Sequence, residues 1–240
     1  MLLSEEEFKE NEIFFKNKFV KSCDICHGRG STIKEYGDYE VSTTCSCVKK
    51  AKLYTELIDY GIPKKYLVAK YNIDEIKNSS YGEDLKNYTV NFVENYQNSV
   101  NLFVLGYSNV IWKVGSFLVR HISKLQNPDF PKSRFKIGYS LFSDILKMSF
   151  DDRAATANNL LYKTDVLIID GIGSEFGRND NKFSQRFLEN TIKKRDNDCK
   201  LTIMFTNFSM CTVKEMYDNE VCNFIDNCKI INTFKDDKTF

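Results

Sequence analysis

Hydrophobic residues along the chain alternate between short continuous runs and helical spacing. Apolar runs such as 101–105, 166–170 and 201–206 predict buried strands, because a strand covered on both faces shows no polar alternation. Strands separated by helical segments indicate a mostly parallel sheet covered by helices. The predicted elements are strand 101–105, helix 112–125, strand 136–141, helix 142–149, strand 166–170, helix 183–195, strand 201–206, helix 213–226 and strand 228–234.

The first sixty residues follow a different pattern. Acids, lysines and phenylalanines are spaced in a helix-like way over residues 5–20, a cysteine-rich segment follows, and residues 49–58 form a basic amphipathic helix. That helix stops at the Gly-Ile-Pro sequence of residues 61–63, because glycine suits a helix C-terminus and proline cannot continue a helix. We therefore predict a small module over residues 1–60 and an α/β domain over residues 61–240.

Four of the eight cysteines lie close together, at Cys23, Cys26, Cys45 and Cys47. A CxxC turn directs two thiols to one point, and a second close pair on a returning hairpin completes the tetrahedron that Zn²⁺ accepts. A site with four protein ligands has no open coordination position, so the predicted zinc ion is structural. The alternative is a set of unrelated free thiols.

Overall charge points to no particular partner. The 240 residues carry a formal net charge of +1, which indicates no strong attraction to nucleic acid or membrane. No secretory signal or membrane-spanning run is apparent, which predicts a cytoplasmic protein without a membrane partner. The basic and aromatic residues near the cysteines, such as Phe19, Arg29 and Tyr36, are equally compatible with contact to single-stranded DNA and with an ordinary solvated surface.

The strand predicted at 101–105 runs through Gly106 into a helix, which is the order of a phosphate-binding loop. Such a loop needs a further glycine, a lysine for the terminal phosphates and a hydroxyl for Mg²⁺. Read without a gap, those positions hold Ile111, Trp112 and Lys113. Lys113 comes one residue late, which rotates a helical side chain by about 100°. ATP binding would require an atypical loop served by Lys113, and plain packing against a strand is the alternative for Trp112.

Two other predicted strands end in polar residues. Strand 166–170 ends in Asp170, where a nucleotide enzyme would hold Mg²⁺, but the next residue is Gly171, where a hydrolytic enzyme would carry a second acid. Strand 201–206 is followed by Asn207, whose amide can orient water or a phosphate, or can cap the next turn. Because parallel strands end at the same edge of a sheet, Asp170 and Asn207 are predicted to share that edge.

These motifs, in this order, resemble the DnaC/DnaI-type helicase loaders, a branch of the AAA+ ATPases common in bacteria and their phages. The resemblance rests on the two cysteine pairs, the sequence GIPKKY, and the segments NLFVLG, VLIIDGIGSE and LTIMFTNFS, and it covers nearly the whole chain. It implies a RecA-like AAA+ parallel sheet with flanking helices behind a zinc module, in a phage or mobile-element protein.

The same resemblance implies a function and a set of site residues. The family binds the replicative helicase, helps to place it on single-stranded DNA and uses ATP as a timing signal. Carried over residue by residue, the resemblance implies Mg²⁺ coordination by Asp170 and a sensor role for Asn207. It implies zinc ligation by Cys23, Cys26, Cys45 and Cys47.

Several groups that carry the family's chemistry are missing. The second acid is Gly171, the loop lysine and hydroxyl are displaced, and neither 217–227 nor 235–240 contains the expected arginine. Loss of one such electrostatic group costs about 10²- to 10³-fold in rate. The degenerate nucleotide set is therefore Gly106, Lys113, Asp170 and Asn207, and no catalytic residue is assigned.

We accordingly predict a helicase-binding DNA replication factor with a structural zinc ion and with weak or no hydrolysis of Mg²⁺-ATP. Single-stranded DNA contact and self-association are left open. One alternative is an active ATP-dependent helicase loader that uses Lys113 in an atypical loop. Another is a non-catalytic structural or regulatory subunit of a viral or plasmid replication assembly.

Overall fold

The computed structural model describes residues 3–125, 135–176 and 181–234. The C-terminal segment 235–240, noted above for its lack of arginine, lies outside the described residues. Within the chain, contacts cluster into two compact units, Met1–Ile62 and Pro63–Phe240. No described helix combines the length and hydrophobicity that a membrane crossing requires.

The first unit is built from two helices and a hairpin. Helix α1 (Glu5–Phe15) continues into a π-helical turn (Lys16–Val20), and strands β1 (Ser31–Tyr36) and β2 (Tyr39–Thr44) pair antiparallel before helix α2 (Ser46–Asp59). Ser4 and Glu7 form a reciprocal capping box that starts α1. The basic helix predicted at 49–58 begins three residues earlier, at Ser46, directly after Cys45 of the second cysteine pair.

The second unit contains the predicted sheet. Its strands are β3 (Leu102–Leu105), β4 (Ile137–Leu141), β5 (Val166–Asp170), β6 (Leu201–Thr206) and β7 (Lys229–Asn232). All four neighbouring pairs are parallel, in the order β4-β5-β6-β3-β7. The residues of β3, β5 and β6 are buried almost throughout, as expected where a parallel sheet is covered on both faces. The predicted parallel sheet with flanking helices is confirmed.

The helices of the second unit are α3 (Lys64–Val68), α4 (Ile73–Lys77), α5 (Gly82–Val90), α6 (Phe92–Gln97), α7 (Ser108–Leu125), α8 (Phe142–Phe150), α9 (Ala154–Lys163), α10 (Asn181–Asn197), α11 (Met210–Met216) and α12 (Asn219–Asp226). The single helix predicted at 213–226 is wrong, since Tyr217 is extended and Asp218 caps α12 by accepting a hydrogen bond from the Val221 amide. Helix α7 begins at Ser108 rather than at residue 112. Helices α3 to α6 and α9 were not predicted.

A buried arginine organises the amino edge of the sheet. Arg195 is fully buried, and its guanidinium donates to the Leu161 carbonyl at 2.5 Å, to the Leu201 carbonyl at 2.7 Å and to the Thr202 hydroxyl at 3.0 Å. Burial lowers the pKa of Arg195 to about 10. Because β6 begins at Leu201, this arginine lies at the end of the strands opposite to Asp170 and has a structural role.

Candidate functional site

The four clustered cysteines meet in the first unit. Their sulfur atoms all lie within 4.8 Å of one another, with 3.8 Å between Cys23 and Cys45 and 3.5 Å between Cys26 and Cys47. Four thiolates around Zn²⁺ at about 2.3 Å would be separated from one another by about 3.8 Å. Three of the cysteines are buried and Cys23 is half-buried. The donor set and its spacing therefore fit a closed tetrahedral zinc site.

Local backbone geometry explains how the cysteine pairs converge. Gly28 and Gly30 have φ values of 83° and 75°, in the left-handed region that side chains disfavour. The turn they allow lets the Gly30 amide donate to the Cys26 sulfur at 3.3 Å, while the Gly30 carbonyl accepts from the Cys45 amide at 2.9 Å. The first pair is thus tied to the second through one glycine. Val48 packs beside this turn and against the cysteine cluster.

The basic and aromatic residues near the cysteines fall into two groups. Phe19 stacks on Phe15 and lies under the ammonium group of Lys50, 4.5 Å from the ring centre, and it is half-buried. Tyr36 and Tyr39, at the turn of the hairpin, are 61% and 76% exposed. The sequence grouped Phe19 with Tyr36, but Phe19 packs within the unit, whereas Tyr36 is open to solvent.

The turn after β3 is shaped by packing. Only Gly106 and Tyr107 separate β3 from α7, so the chain has no extended loop between strand and helix. A β-carbon added to Gly106 would lie 1.6 Å from the Thr233 hydroxyl, and Thr233 donates from its amide to the Leu105 carbonyl at 2.8 Å. Glycine is required here because the segment that follows β7 passes against the turn. The phosphate-binding role that the motif suggests is not needed to explain this glycine.

Trp112 and Lys113 face a segment that precedes the sheet. The Lys113 ammonium lies 2.8 Å from a Glu75 carboxylate oxygen. Lys65 lies over the Trp112 ring, 4.2 Å from its centre, and Tyr71 contacts the same ring edge-on at 6.2 Å. We call residues 64–75, which run along α7, the strap. The packing of Trp112 is therefore against the strap, and the predicted packing against a strand is wrong.

The strap is anchored by Tyr66, which is 4% exposed. The Tyr66 carbonyl accepts hydrogen bonds from the Ser116 hydroxyl at 2.6 Å and from Arg120 at 2.8 Å. Its ring lies against Gly115, where an added β-carbon would come within 2.6 Å of the ring and within 3.0 Å of Phe205. Gly115 is therefore the gap in α7 that admits the tyrosine ring.

Asp170, at the end of β5, is held by one tyrosine, which packs against a second. The Tyr139 hydroxyl donates to an Asp170 carboxylate oxygen at 2.7 Å, and the ring of the buried Tyr66 meets the ring of Tyr139 edge-on, 5.5 Å away. Burial raises the pKa of Asp170, which the Tyr139 hydroxyl partly opposes, and burial also raises the pKa of both tyrosines. The next residue, Gly171, has a φ of 78° and takes the chain away from the edge.

Asn207 follows β6 and is exposed. Because β6 lies between β5 and β3, Asn207 is at the same edge of the sheet as Asp170 and Gly106. It does not cap the next helix, since Ser209 caps α11 by accepting a hydrogen bond from the Thr212 amide. The structure thus brings the four predicted nucleotide-site positions to one end of the sheet, with Lys113 directed to the strap.

Sequence reasoning missed the tyrosines at this edge and one buried acid. Glu175 is 6% exposed, its carboxylate accepts a hydrogen bond from the Tyr217 hydroxyl, and burial raises the pKa of Glu175. The Tyr217 hydroxyl in turn accepts from the Gly173 amide at 2.9 Å. Tyr139 could have been found from the strand register, because Leu141 pairs with Asp170 and Tyr139 shares its face. No feature of the sequence predicted that Tyr66 would pack against Tyr139.

Comparison with known proteins gives matches only at the level of structure. No family model and no curated protein matches the chain. The crystal structure of a putative primosome component from Streptococcus pyogenes serotype M3 matches with a TM-score of 0.54 and 14% identity, over 74% of this chain and 94% of that one. The crystal structure of the DnaC helicase loader matches with a TM-score of 0.51 and 15% identity, over 71% of this chain and 99% of that one. The fold of residues 63–234 is therefore similar to the fold of these two proteins.

A structure of AMPPCP-bound DnaA from Aquifex aeolicus is also similar, with a TM-score of 0.51 and 15% identity, over 74% of this chain. The match spans 52% of that DnaA chain, so this protein corresponds to about half of its length. At these identities the likeness concerns the fold. The predicted resemblance to helicase loaders is confirmed at the level of the fold.

The residues at this sheet edge do not fit a bound Mg²⁺-nucleotide in the arrangement described. Gly106 is required by Thr233, Lys113 is paired with Glu75, and Asp170 accepts from the Tyr139 hydroxyl. Mg²⁺ needs carboxylate oxygens with free lone pairs and room for several water ligands. The position of each group is retained, but its polar atoms are engaged with other residues of the chain.

Proposed function

We propose that this protein is a DnaC-like DNA replication factor that binds a replicative helicase and acts with weak or no ATP hydrolysis. The observation that carries the proposal is the structural match over 99% of the crystallised DnaC helicase loader chain. The similar coverage of the putative primosome component supports the same assignment. The contacts of the site also bear on the proposal, because one fold can serve many functions.

A structural zinc ion in the module of residues 1–60 is part of this proposal. Cys23, Cys26, Cys45 and Cys47 would hold it, and the ion would supply a cross-link between the turn that follows α1 and the start of α2. The hairpin of β1 and β2 lies between the two cysteine pairs and is exposed at nearly every position. A two-stranded hairpin is marginally stable alone in water, so a metal at its base would account for its order.

The contacts of the nucleotide-site positions support the proposal of weak or no hydrolysis. An ATPase of this fold needs an ionised carboxylate on Mg²⁺ and a lysine on the terminal phosphates. Here the pKa of Asp170 is raised by burial and one of its oxygens accepts from the Tyr139 hydroxyl, while the Lys113 ammonium is bound to Glu75. These contacts favour a binding factor over the alternative of an active loader that uses Lys113.

Affinity capture tests the proposal. The tagged full chain is expressed in its native cell, and the captured proteins are identified by mass spectrometry. The expected result is co-purification of the replicative helicase, equally with wild type and with Asp170→Asn, because binding does not need the nucleotide edge. A stable complex that contains no replicative helicase would contradict the proposal and would favour a structural subunit of another replication assembly.

A further inference from the structure

The four cysteines of the cluster differ in how well the protein shields them. Cys26, Cys45 and Cys47 are buried, whereas Cys23 is half-buried. The Cys26 sulfur also accepts a hydrogen bond from the Gly30 amide at 3.3 Å. Reactive cysteines lie at partly exposed positions, whereas buried structural cysteines are inert. Cys23 is therefore the cysteine of the cluster that a reagent in solvent meets first.

A second thiol lies within reach of Cys23. The Cys45 sulfur is 3.8 Å from the Cys23 sulfur, although the two residues are 22 positions apart in the sequence. A disulfide bond is about 2.0 Å long, so a modest movement of the two side chains would close this pair. Cys26 and Cys47 form the other close pair, at 3.5 Å. Each pair joins one cysteine of the CxxC turn to one cysteine of the second motif.

Pairing across the two motifs has a structural consequence for the hairpin. Strands β1 and β2 form a sheet of their own, and they lie between the two cysteine motifs. A disulfide within either motif would leave the two ends of the hairpin unconnected once a metal is lost. A disulfide across the motifs would keep the turn that follows α1 joined to the start of α2.

We propose that Cys23 is an oxidation site of this protein, at which a hydroperoxide such as hydrogen peroxide joins Cys23 to Cys45. The Cys23 thiolate attacks a peroxide oxygen, so that an S–O bond forms, the O–O bond breaks and hydroxide leaves. The Cys45 thiolate then attacks the Cys23 sulfur, so that the S–S bond forms, the S–O bond breaks and a second hydroxide leaves. Both hydroxides take protons from solvent, and the two electrons that the thiolates lose reduce the peroxide to water.

This inference goes beyond the proposed replication function, and its disulfide step depends only on the sulfur positions. Its second consequence, release of zinc, rests on the structural metal site of the proposed function. The thiolate is the form of cysteine that binds a metal, so the disulfide removes two of the four ligands. The base of the hairpin then changes from a metal cross-link to a covalent one that a thiol reductant reverses.

Peptide mapping of the full chain distinguishes the possible disulfides. Trypsin cleaves after lysine and arginine, which places the CxxC pair in the peptide 22–29 and the second pair in the peptide 35–49. A disulfide across the motifs joins these two peptides, whereas a disulfide within a motif leaves them separate. The purified protein is treated with hydrogen peroxide, its remaining thiols are blocked with N-ethylmaleimide, and tandem mass spectrometry assigns the bonded cysteines. A chromogenic chelator records the zinc that is released.

The expected result is a joined peptide pair linked through Cys23 and Cys45, with about one zinc ion released for each pair formed. A short pulse of N-ethylmaleimide on untreated protein should label Cys23 before the other cysteines of the cluster. A matched control carries Cys199→Ser and Cys211→Ser, which remove two exposed thiols outside the cluster. This control should give the same joined peptides and the same release of zinc.

Three results would overturn the inference. They are a disulfide within either motif, a pair joined only through Cys26 and Cys47, and a cluster that stays reduced while Cys199 of the same sample is oxidised. First labelling of any cluster cysteine other than Cys23 would also contradict it. If the protein purifies without zinc, the joined peptides still decide the oxidation site, and the failure falls on the proposed metal site alone. Helicase capture uses reduced protein, so the two proposals fail separately.

Discussion

The cysteine cluster and the Asp170 edge are both sets of residues that the fold gathers from distant parts of the sequence, but they differ in where their polar atoms point. In the cluster, the four sulfur atoms face one another at distances that suit Zn²⁺. At the sheet edge, the predicted groups bond to other residues of the protein instead. The cysteine cluster has the geometry of a ligand site. At the Asp170 edge the residues stand where a nucleotide site would need them, but their polar atoms contact other residues of the chain.

This difference shows why a motif in the right place is weak support for chemistry. Asp170 still ends β5, and Gly106 still follows β3, which lies two strands away in the sheet. Their surroundings explain both residues without a nucleotide, because Thr233 requires the glycine and the Tyr139 hydroxyl donates to the acid. No such internal explanation accounts for four thiols within 4.8 Å of one another.

The largest effect is expected from the cluster. Cys26→Ser should reduce zinc in freshly purified protein from about one ion per chain to less than about half, because a structural site needs all four thiolates. The first unit should then become sensitive to proteolysis at 25 °C. Metal analysis and limited proteolysis measure both changes. Cys199→Ser, which removes an exposed thiol outside the cluster, is the matched control. Equal zinc contents in Cys26→Ser and Cys199→Ser would contradict a zinc site at the cysteine cluster.

Gly106→Ala tests whether that glycine serves packing. The added β-carbon would overlap the Thr233 side chain, so the free energy of unfolding should fall by about 1–3 kcal/mol. Thr233→Ala removes the overlapping hydroxyl, and the double variant should recover part of the loss. Chemical denaturation of the four proteins gives the coupling, expected at about 0.5–3 kcal/mol. Additive effects would indicate that Thr233 is not the reason for the glycine.

The acid at the sheet edge predicts a dependence on pH. Burial raises the pKa of Asp170 above its ordinary value of 3.8, so the unfolded chain loses this proton first and stability declines as pH rises through the folded-state pKa. Asp170→Asn removes that decline. The variant should therefore gain stability relative to wild type as pH increases from below 3.8 to neutral. Denaturation midpoints across this range provide the measurement, and a relative loss at neutral pH would show that the carboxylate is stabilising when ionised.

The smallest effect is expected at Lys113. Its ammonium is paired with the carboxylate of Glu75, and the two side chains are 31% and 55% exposed. Lys113→Ala should therefore lower the free energy of unfolding by less than about 1 kcal/mol. The same substitution should leave the change in melting temperature on addition of Mg²⁺-ATP equal to that of wild type. Nucleotide-dependent stabilisation that is lost in this variant would instead support an active atypical loop.

Much of the fold was predictable from local sequence. The runs at 166–170 and 201–206 are apolar enough to be recognised as buried strands, and both strands have the predicted bounds. The helix predicted at 213–226 was wrong because its break depends on Tyr217, whose hydroxyl bonds to Glu175 far away in the sequence. Long-range contacts of this kind leave no periodic signal.

The candidate sites were predictable to different degrees for the same reason. The cysteine cluster could be predicted from the sequence, because the four ligands of one ion come from two short motifs of characteristic spacing. The surroundings of Asp170 depend on Tyr139 and on Tyr66, which packs against both Tyr139 and Gly115 from about a hundred residues earlier in the sequence. Only the tertiary structure brings those residues together.

We propose that the groups at the carboxyl edge of this sheet no longer support ATP hydrolysis, because Asp170 and Lys113 are engaged with other side chains of the chain. Phosphate release from saturating Mg²⁺-ATP, measured with the purified full chain and with Asp170→Ala, tests this claim most directly. We predict no release above background for either protein. Sustained turnover by wild type that is abolished in Asp170→Ala would contradict the account.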